Sequence, residues 1–212
     1  MQLYGRRSSI NVQKVVWCLS ELGLSEGHDY QRIDAGLHFD VVDTPEYRKL
    51  NPNGLVPTLV DGDFVLWESN AIVRYLAATL GANTLLPTDA RHRADVERWM
   101  DWQSITFWAT LRVAFLGLTR TPEPERNIDA IRKAYADATH HLSILDAQLM
   151  LHPFVTQTGF TVADMVIGLS VHRWLGLAEQ YPDVLGKRLQ LPAVQAWYEK
   201  LAARPAFQST IA

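Results

Sequence analysis

The chain has 212 residues, enough for one large domain or two small ones with a buried core, and its 48% hydrophobic and 20% charged content is that of an ordinary globular protein. A net charge of −3 gives no basic footprint for nucleic acid or an anionic membrane, so neither is an expected partner. A single cysteine, Cys18, excludes an intrachain disulfide and a cysteine-based zinc site.

No apolar run approaches the length of a membrane helix, and MQLYGRRSS lacks a signal-peptide core, so a cytoplasmic location is the expectation. Met1–Tyr4 reads as a short strand, and Gly5–Ser9 as the loop behind it. Val12, Val15, Val16, Leu19 and Leu22 recur at helical spacing, which predicts a helix from about Asn11 to a stop at Gly23. Tyr30–Asp34 is a second predicted strand, and Thr44-Pro45 opens a capped helix. Asp61-Gly62-Asp63 between Thr58-Leu59-Val60 and Phe64-Val65-Leu66 is a hairpin signal. The strand edge beside Val56-Pro57 is expected to be open to a peptide backbone. Glu68-Ser69-Asn70 precedes the amphipathic run Ile72, Val73, Tyr75, Leu76, a helix start whose free N–H groups suit a carboxylate.

Gly81, Asn83 and Pro87 interrupt the periodicity, so residues 81–89 read as a linker between a first domain, 1–80, and a second, 90–212. Helical patterns fill the second domain. Asp89–Leu118 is one long helix or a broken pair, and Arg126–Leu151 is another helix. Thr161-x-x-Asp164 is a capping-box variant ahead of the apolar helix Met165–Leu175. His140 and His141 are adjacent and point to different helix faces, and no metal site is expected. The fold class is α/β followed by all-α.

VPTL, the hairpin and ESNAI in that order resemble the glutathione-binding half of the cytosolic glutathione S-transferases. SINVQKVV resembles the bacterial serine-type members, theta-, delta- or nu-like, and the resemblance extends through the helical tail. It implies an N-terminal thioredoxin-like domain, an all-helical C-terminal domain, glutathione as co-substrate and a homodimer. It also implies a cis Val56-Pro57 bond, with Val56 and Pro57 along the glutathione backbone and Glu68 and Ser69 at its γ-glutamyl end. Relatives that carry a cation at the glycine end have it where this chain has Leu55 or Asn70, which leaves His38 and Lys49 as the expected replacements.

Such an enzyme must keep a thiol ionised. Lowering a thiol pKa of ~8.5 by about 2 units needs roughly 2.7 kcal/mol of preference for the anion. One hydroxyl donor can contribute about 1.5–3 kcal/mol, and a helix N-terminus adds to it. On the resemblance that donor falls on Ser9, with Asn11 assisting and Ser8 the second choice; a plain helix cap is the other reading of Ser9. Cys18, alone in its helix, reads as a packing residue. An apolar electrophile is expected to meet Trp102, Phe107, Trp108, Arg112, Phe115 and Trp174 where the helical domain faces Ser9. The expected activity is conjugation, as in detoxification. Glutathione-dependent disulfide or peroxide reduction, and non-catalytic ligand binding, are the alternatives.

Overall fold

In the computed structural model, which describes residues 1–81 and 83–212, the first strand, β1 (Gln2–Tyr4), lies beside β2 (Gln31–Ile33) in parallel. Parallel neighbours need a crossover, and helix α1 (Ile10–Glu21) supplies it. β3 (Thr58–Asp61) and β4 (Phe64–Trp67) form an antiparallel hairpin turning through Gly62, and β3 pairs antiparallel with β1. The sheet order is β2-β1-β3-β4, with Leu3 opposite Leu59 and both fully buried. With its helices this is the thioredoxin-like arrangement.

β3 is an interior strand, flanked from Thr58 onward by β1 on one side and β4 on the other. The expected pairing edge therefore does not run along β3 and is limited to the segment ahead of it. Val56 and Pro57 lie just ahead of the paired residues, and the peptide bond between them is cis.

Two helices complete the segment, α2 (Pro45–Leu50), capped by Thr44 on the Tyr47 N–H at 3.2 Å, and α3 (Ser69–Leu80). α1 packs on α3 through apolar faces that include Val12, Val15 and Leu19 on one and Ile72, Val73 and Leu76 on the other, all fully buried. Each such side chain contributes about 1.5–3 kcal/mol of burial free energy.

The chain divides into two compact units, Met1–Thr88 with Ala203–Ala212, and Asp89–Ala202. The sequence reading gave everything from 90 onward to the helical domain. The last helix of the chain instead returns to the first unit, where Phe207 meets Trp17 edge-on at 4.8 Å and Arg204 grips Glu21 through two 2.6 Å hydrogen bonds. Of the predicted linker, Ala82 lies outside the described residues.

The second unit is built of helices, with one isolated bridge between Thr156 and Gly159. α4 (Ala90–Trp102) runs through a π-helical turn, Gln103–Phe107, into α5 (Trp108–Thr119). At that turn Gln103 is fully buried and donates to Ser170 Oγ at 2.8 Å. α6 (Ile128–Leu151) buries Ile131, Tyr135, Ala138, Leu142 and Leu145 on one face. α7 (Val162–Gln180) is the buried centre of the unit. Asp164 accepts from the backbone N–H of Thr161 and of Val155 and from the Trp197 indole, each at 2.9 Å. Trp197 stands on the following long helix, α9 (Pro192–Ala202), after a single turn α8 (Pro182–Leu185); the closing helix is α10 (Pro205–Ile211). Among the described residues no helix is long and apolar enough to cross a membrane.

Candidate functional site

The loop ahead of α1 is tied to the sheet by its own backbone. The Gly5 N–H donates to the Ile33 carbonyl at 2.8 Å and the Arg6 N–H to the Ala35 carbonyl at 3.1 Å, while Arg32 holds the Gly5 carbonyl at 2.9 Å. Gly5 has to lack a side chain, because a Cβ there would lie 2.3 Å from Val12 and 3.3 Å from Val56. That close approach brings the start of α1 against the Val56-Pro57 segment.

Ser9 is the N-cap residue of α1, almost buried, and its hydroxyl makes no capping hydrogen bond to the first turn. The cap is made by the Ser9 backbone, whose carbonyl accepts from the Gln13 N–H at 2.9 Å, and not by its hydroxyl. Ser8 beside it is exposed. Cys18 is fully buried, and burial together with the Glu21 charge pushes its thiol up to about 12, far from reactive at neutral pH.

The other wall is the start of α3. Glu68 sits at φ 71°, ψ 111°, a sparsely populated conformation for a residue with a side chain, of the kind that clusters at ligand sites. It leaves the Glu68 carboxylate exposed and Ser69 buried in the first turn of the helix. A small pocket is lined by Asn11, Val56, Pro57, Glu68 and Ser69. Five positions singled out from the sequence are thus brought to one place. Ser9 and Ser8 are not in its lining; Ser9 stands two residues before Asn11 at the same helix start.

Three further residues line the pocket that the sequence reading did not assign to it, Asn51, Asn53 and Leu55. Asn51 is the reason they are there. Buried to 2% exposure, its amide donates to the Leu55 carbonyl at 2.9 Å and to Thr58 Oγ1 at 3.1 Å, while its Oδ1 accepts from the Asn53 backbone and side-chain amides, each at 3.1 Å. The Tyr47 hydroxyl adds a 2.6 Å bond to the same Leu55 carbonyl. These bonds fold the Asn51–Leu55 loop inward in front of Val56. The turn residues Asn-Pro-Asn-Gly were the available signal, but they announce a turn and not its direction.

His38 and Lys49 do not line the pocket. Both are exposed; the His38 ring lies against Phe39 at 4.1 Å, and Lys49 projects from the last turn of α2. In the helical unit, Phe107 is fully buried, and so is Trp174, which stacks on Tyr135 and donates to Thr139 Oγ1 at 3.0 Å. These two are core residues, since the helical spacing of large aromatics serves a core as readily as a cleft. Trp102, Trp108 and Phe115 are half-buried and Arg112 is exposed. Among the described residues no cluster of three or more His, Cys, Asp or Glu side chains is arranged to hold a metal.

The family to which this fold and pocket correspond is evident from comparison with known proteins. The family model "Glutathione S-transferase, N-terminal domain" matches residues 1–78. Over its whole length the chain is 36% identical to glutathione S-transferase GstB of Escherichia coli, covering 99% of this chain and 96% of that one. It is 32% identical to glutathione S-transferase 3 of Zea mays, covering 100% of this chain and 93% of that one. Among solved structures, the theta class glutathione S-transferase of Xanthomonas axonopodis pv. citri with glutathione bound superposes with a TM-score of 0.88 at 42% identity, over 99% of this chain and 96% of that chain. The chain belongs to the glutathione S-transferase family.

Proposed function

We propose that the chain is a glutathione transferase that binds glutathione in the pocket of its first unit and activates the thiol for attack on an apolar electrophile. The observation that carries this is the convergence of Asn11, Val56, Glu68 and Ser69 on one opening, a cis-prolyl segment facing a helix start. In this reading the backbone of Val56 meets the backbone of the tripeptide. The γ-glutamyl carboxylate sits on Ser69 at the N-terminus of α3, and its ammonium meets the exposed Glu68 carboxylate. Asn53 takes the place expected of His38 or Lys49 at the glycine carboxylate. One of its amide hydrogens is given to Asn51, and the other is available to the ligand.

Ser9 is the thiolate donor in this account, with Asn11 assisting. A hydroxyl that caps nothing, at a helix N-terminus, supports that role. Ser9→Ala should raise the pH midpoint of bound thiolate formation by about 1–2 units while changing glutathione affinity little, as read by the ultraviolet absorbance of the thiolate. An unchanged midpoint would transfer the role to Asn11 or Ser8.

A second reading, glutathione-dependent disulfide or peroxide reduction, is favoured by one observation, that Asn11 and not Ser9 lines the pocket. Turnover on an aryl halide against turnover on a small mixed disulfide separates the two. Trp102, Trp108, Phe115 and Arg112 keep exposed surface and are the helical unit's side chains for the co-substrate. The family resemblance further supports a cytoplasmic homodimer in detoxification.

A further inference from the structure

Lys14 is 2% exposed, an expensive place for an ammonium group. Its Nζ donates to Asn70 Oδ1 at 3.1 Å, joining α1 to the first turn of α3 immediately after Ser69. It stands one turn along α1 from Asn11, so both lie on the face of the helix turned to the pocket wall. Burial brings its pKa down to about 7, and the negative charge of Glu68 acts in the opposite sense. Of the other charged groups on the elements packed against α1, Arg74 lies a turn beyond Asn70 on α3, and Arg204 at the start of α10 is paired with Glu21. Among the described residues lining the pocket, Glu68 is the one that carries charge, and that charge acts on the Lys14 amine.

A protonated amine offers only donors. It therefore holds the Asn70 amide with its oxygen inward and its nitrogen away, whereas the neutral amine can also accept and leaves the amide able to turn. The state of Lys14 is thus coupled to the geometry of the helix start that carries Ser69.

We infer that Lys14 is a positioning residue of the ligand seat, holding Asn70 and the start of α3 in the form an anionic ligand needs and taking up a proton when that ligand binds. The inference rests on the glutathione reading above. A carboxylate on Ser69 places negative charge beside Asn70 and favours the ammonium form of Lys14. The proton comes from the buffer and ends on Nζ; no bond to the ligand is made or broken. By linkage, uptake of a proton on binding means tighter binding at lower pH.

The test uses S-methylglutathione, which has no ionisable thiol to release a proton of its own. Calorimetry on the intact chain at about pH 6 and about pH 8, either side of the Lys14 value near 7, in two buffers of different ionisation heat, reads both affinity and protons exchanged. The wild type should take up a fraction of a proton at the higher pH and bind more weakly there. Lys14→Arg should bind with no uptake, and Lys14→Met should bind about tenfold more weakly at the lower pH, also without uptake, a coupling of ordinary size. Asn70→Ala, at a half-buried site, should reduce the uptake even if Lys14→Met does not fold. Wild-type binding without proton uptake, or unaltered uptake in the Lys14 or Asn70 variants, overturns the inference while leaving the glutathione reading intact. No binding by the wild type at either pH overturns both.

Discussion

At the scale of single residues, the charge on Lys14 costs the fold stability. Its amine titrates near 7 in the folded protein against an ordinary 10.5, so between those values the unfolded chain holds more protons. Stability contributed by this group therefore rises with pH from about 7 to about 10.5, and the full cost is present below 7. Lys14→Met should raise the thermal midpoint at about pH 6, by the equivalent of about 1–4 kcal/mol as for other buried charges replaced by apolar groups. The gain should shrink as the pH approaches 10, which a series of melting curves reads directly. A gain equal at all pH values would mean that packing, not charge, sets the difference. A residue that weakens the fold yet is placed under a ligand seat fits a trade of stability for binding.

At the scale of elements, what could be read from the sequence is what depends on neighbours in the chain. The hairpin at Gly62, the Thr44 cap of α2 and the Thr161–Asp164 box are all made by residues within a few positions of one another, and all are present. Asp164 does more than its local pattern announces, because Val155 and Trp197 also donate to it, from positions no spacing rule connects. Burial outweighs these donors and pushes its carboxyl up to about 6. Asp164→Asn leaves one acceptor oxygen for three separate donors and should cost about 2–5 kcal/mol in denaturant unfolding. Glutathione affinity of the folded fraction should stay unchanged, since the residue belongs to the second unit; a loss of affinity without a loss of stability would contradict this assignment. The same locality explains the pocket. Val56, Glu68 and Ser69 were legible through short motifs, whereas the Lys14–Asn70 bond spans 56 positions and the inward fold of Asn51–Leu55 depends on Tyr47 and Thr58. His38 and Lys49 were chosen by charge within an irregular region, and charge alone carries no direction.

At the scale of the molecule, the two units show different kinds of legibility. The alternation of strands and helices in the first unit, and the helical character of the second, follow from periodicity and punctuation, whereas the thioredoxin-like arrangement was implied by the family resemblance. The destination of α10 follows from neither. Its short sequence names no partner, and the pairing of Arg204 with Glu21 and of Phe207 with Trp17 holds it on α1. That docking braces the helix whose other end carries Ser9 and Asn11. The central claim is that this helix start ionises a sulfur borrowed from glutathione, Cys18 being buried and raised to about 12. A crystal structure of the chain soaked with glutathione tests it most directly. The account predicts the tripeptide along Val56 with its γ-glutamyl carboxylate on Ser69 and its sulfur within hydrogen-bonding distance of Ser9 Oγ. A pocket left empty at saturating glutathione, or a sulfur turned away from the start of α1, would contradict it.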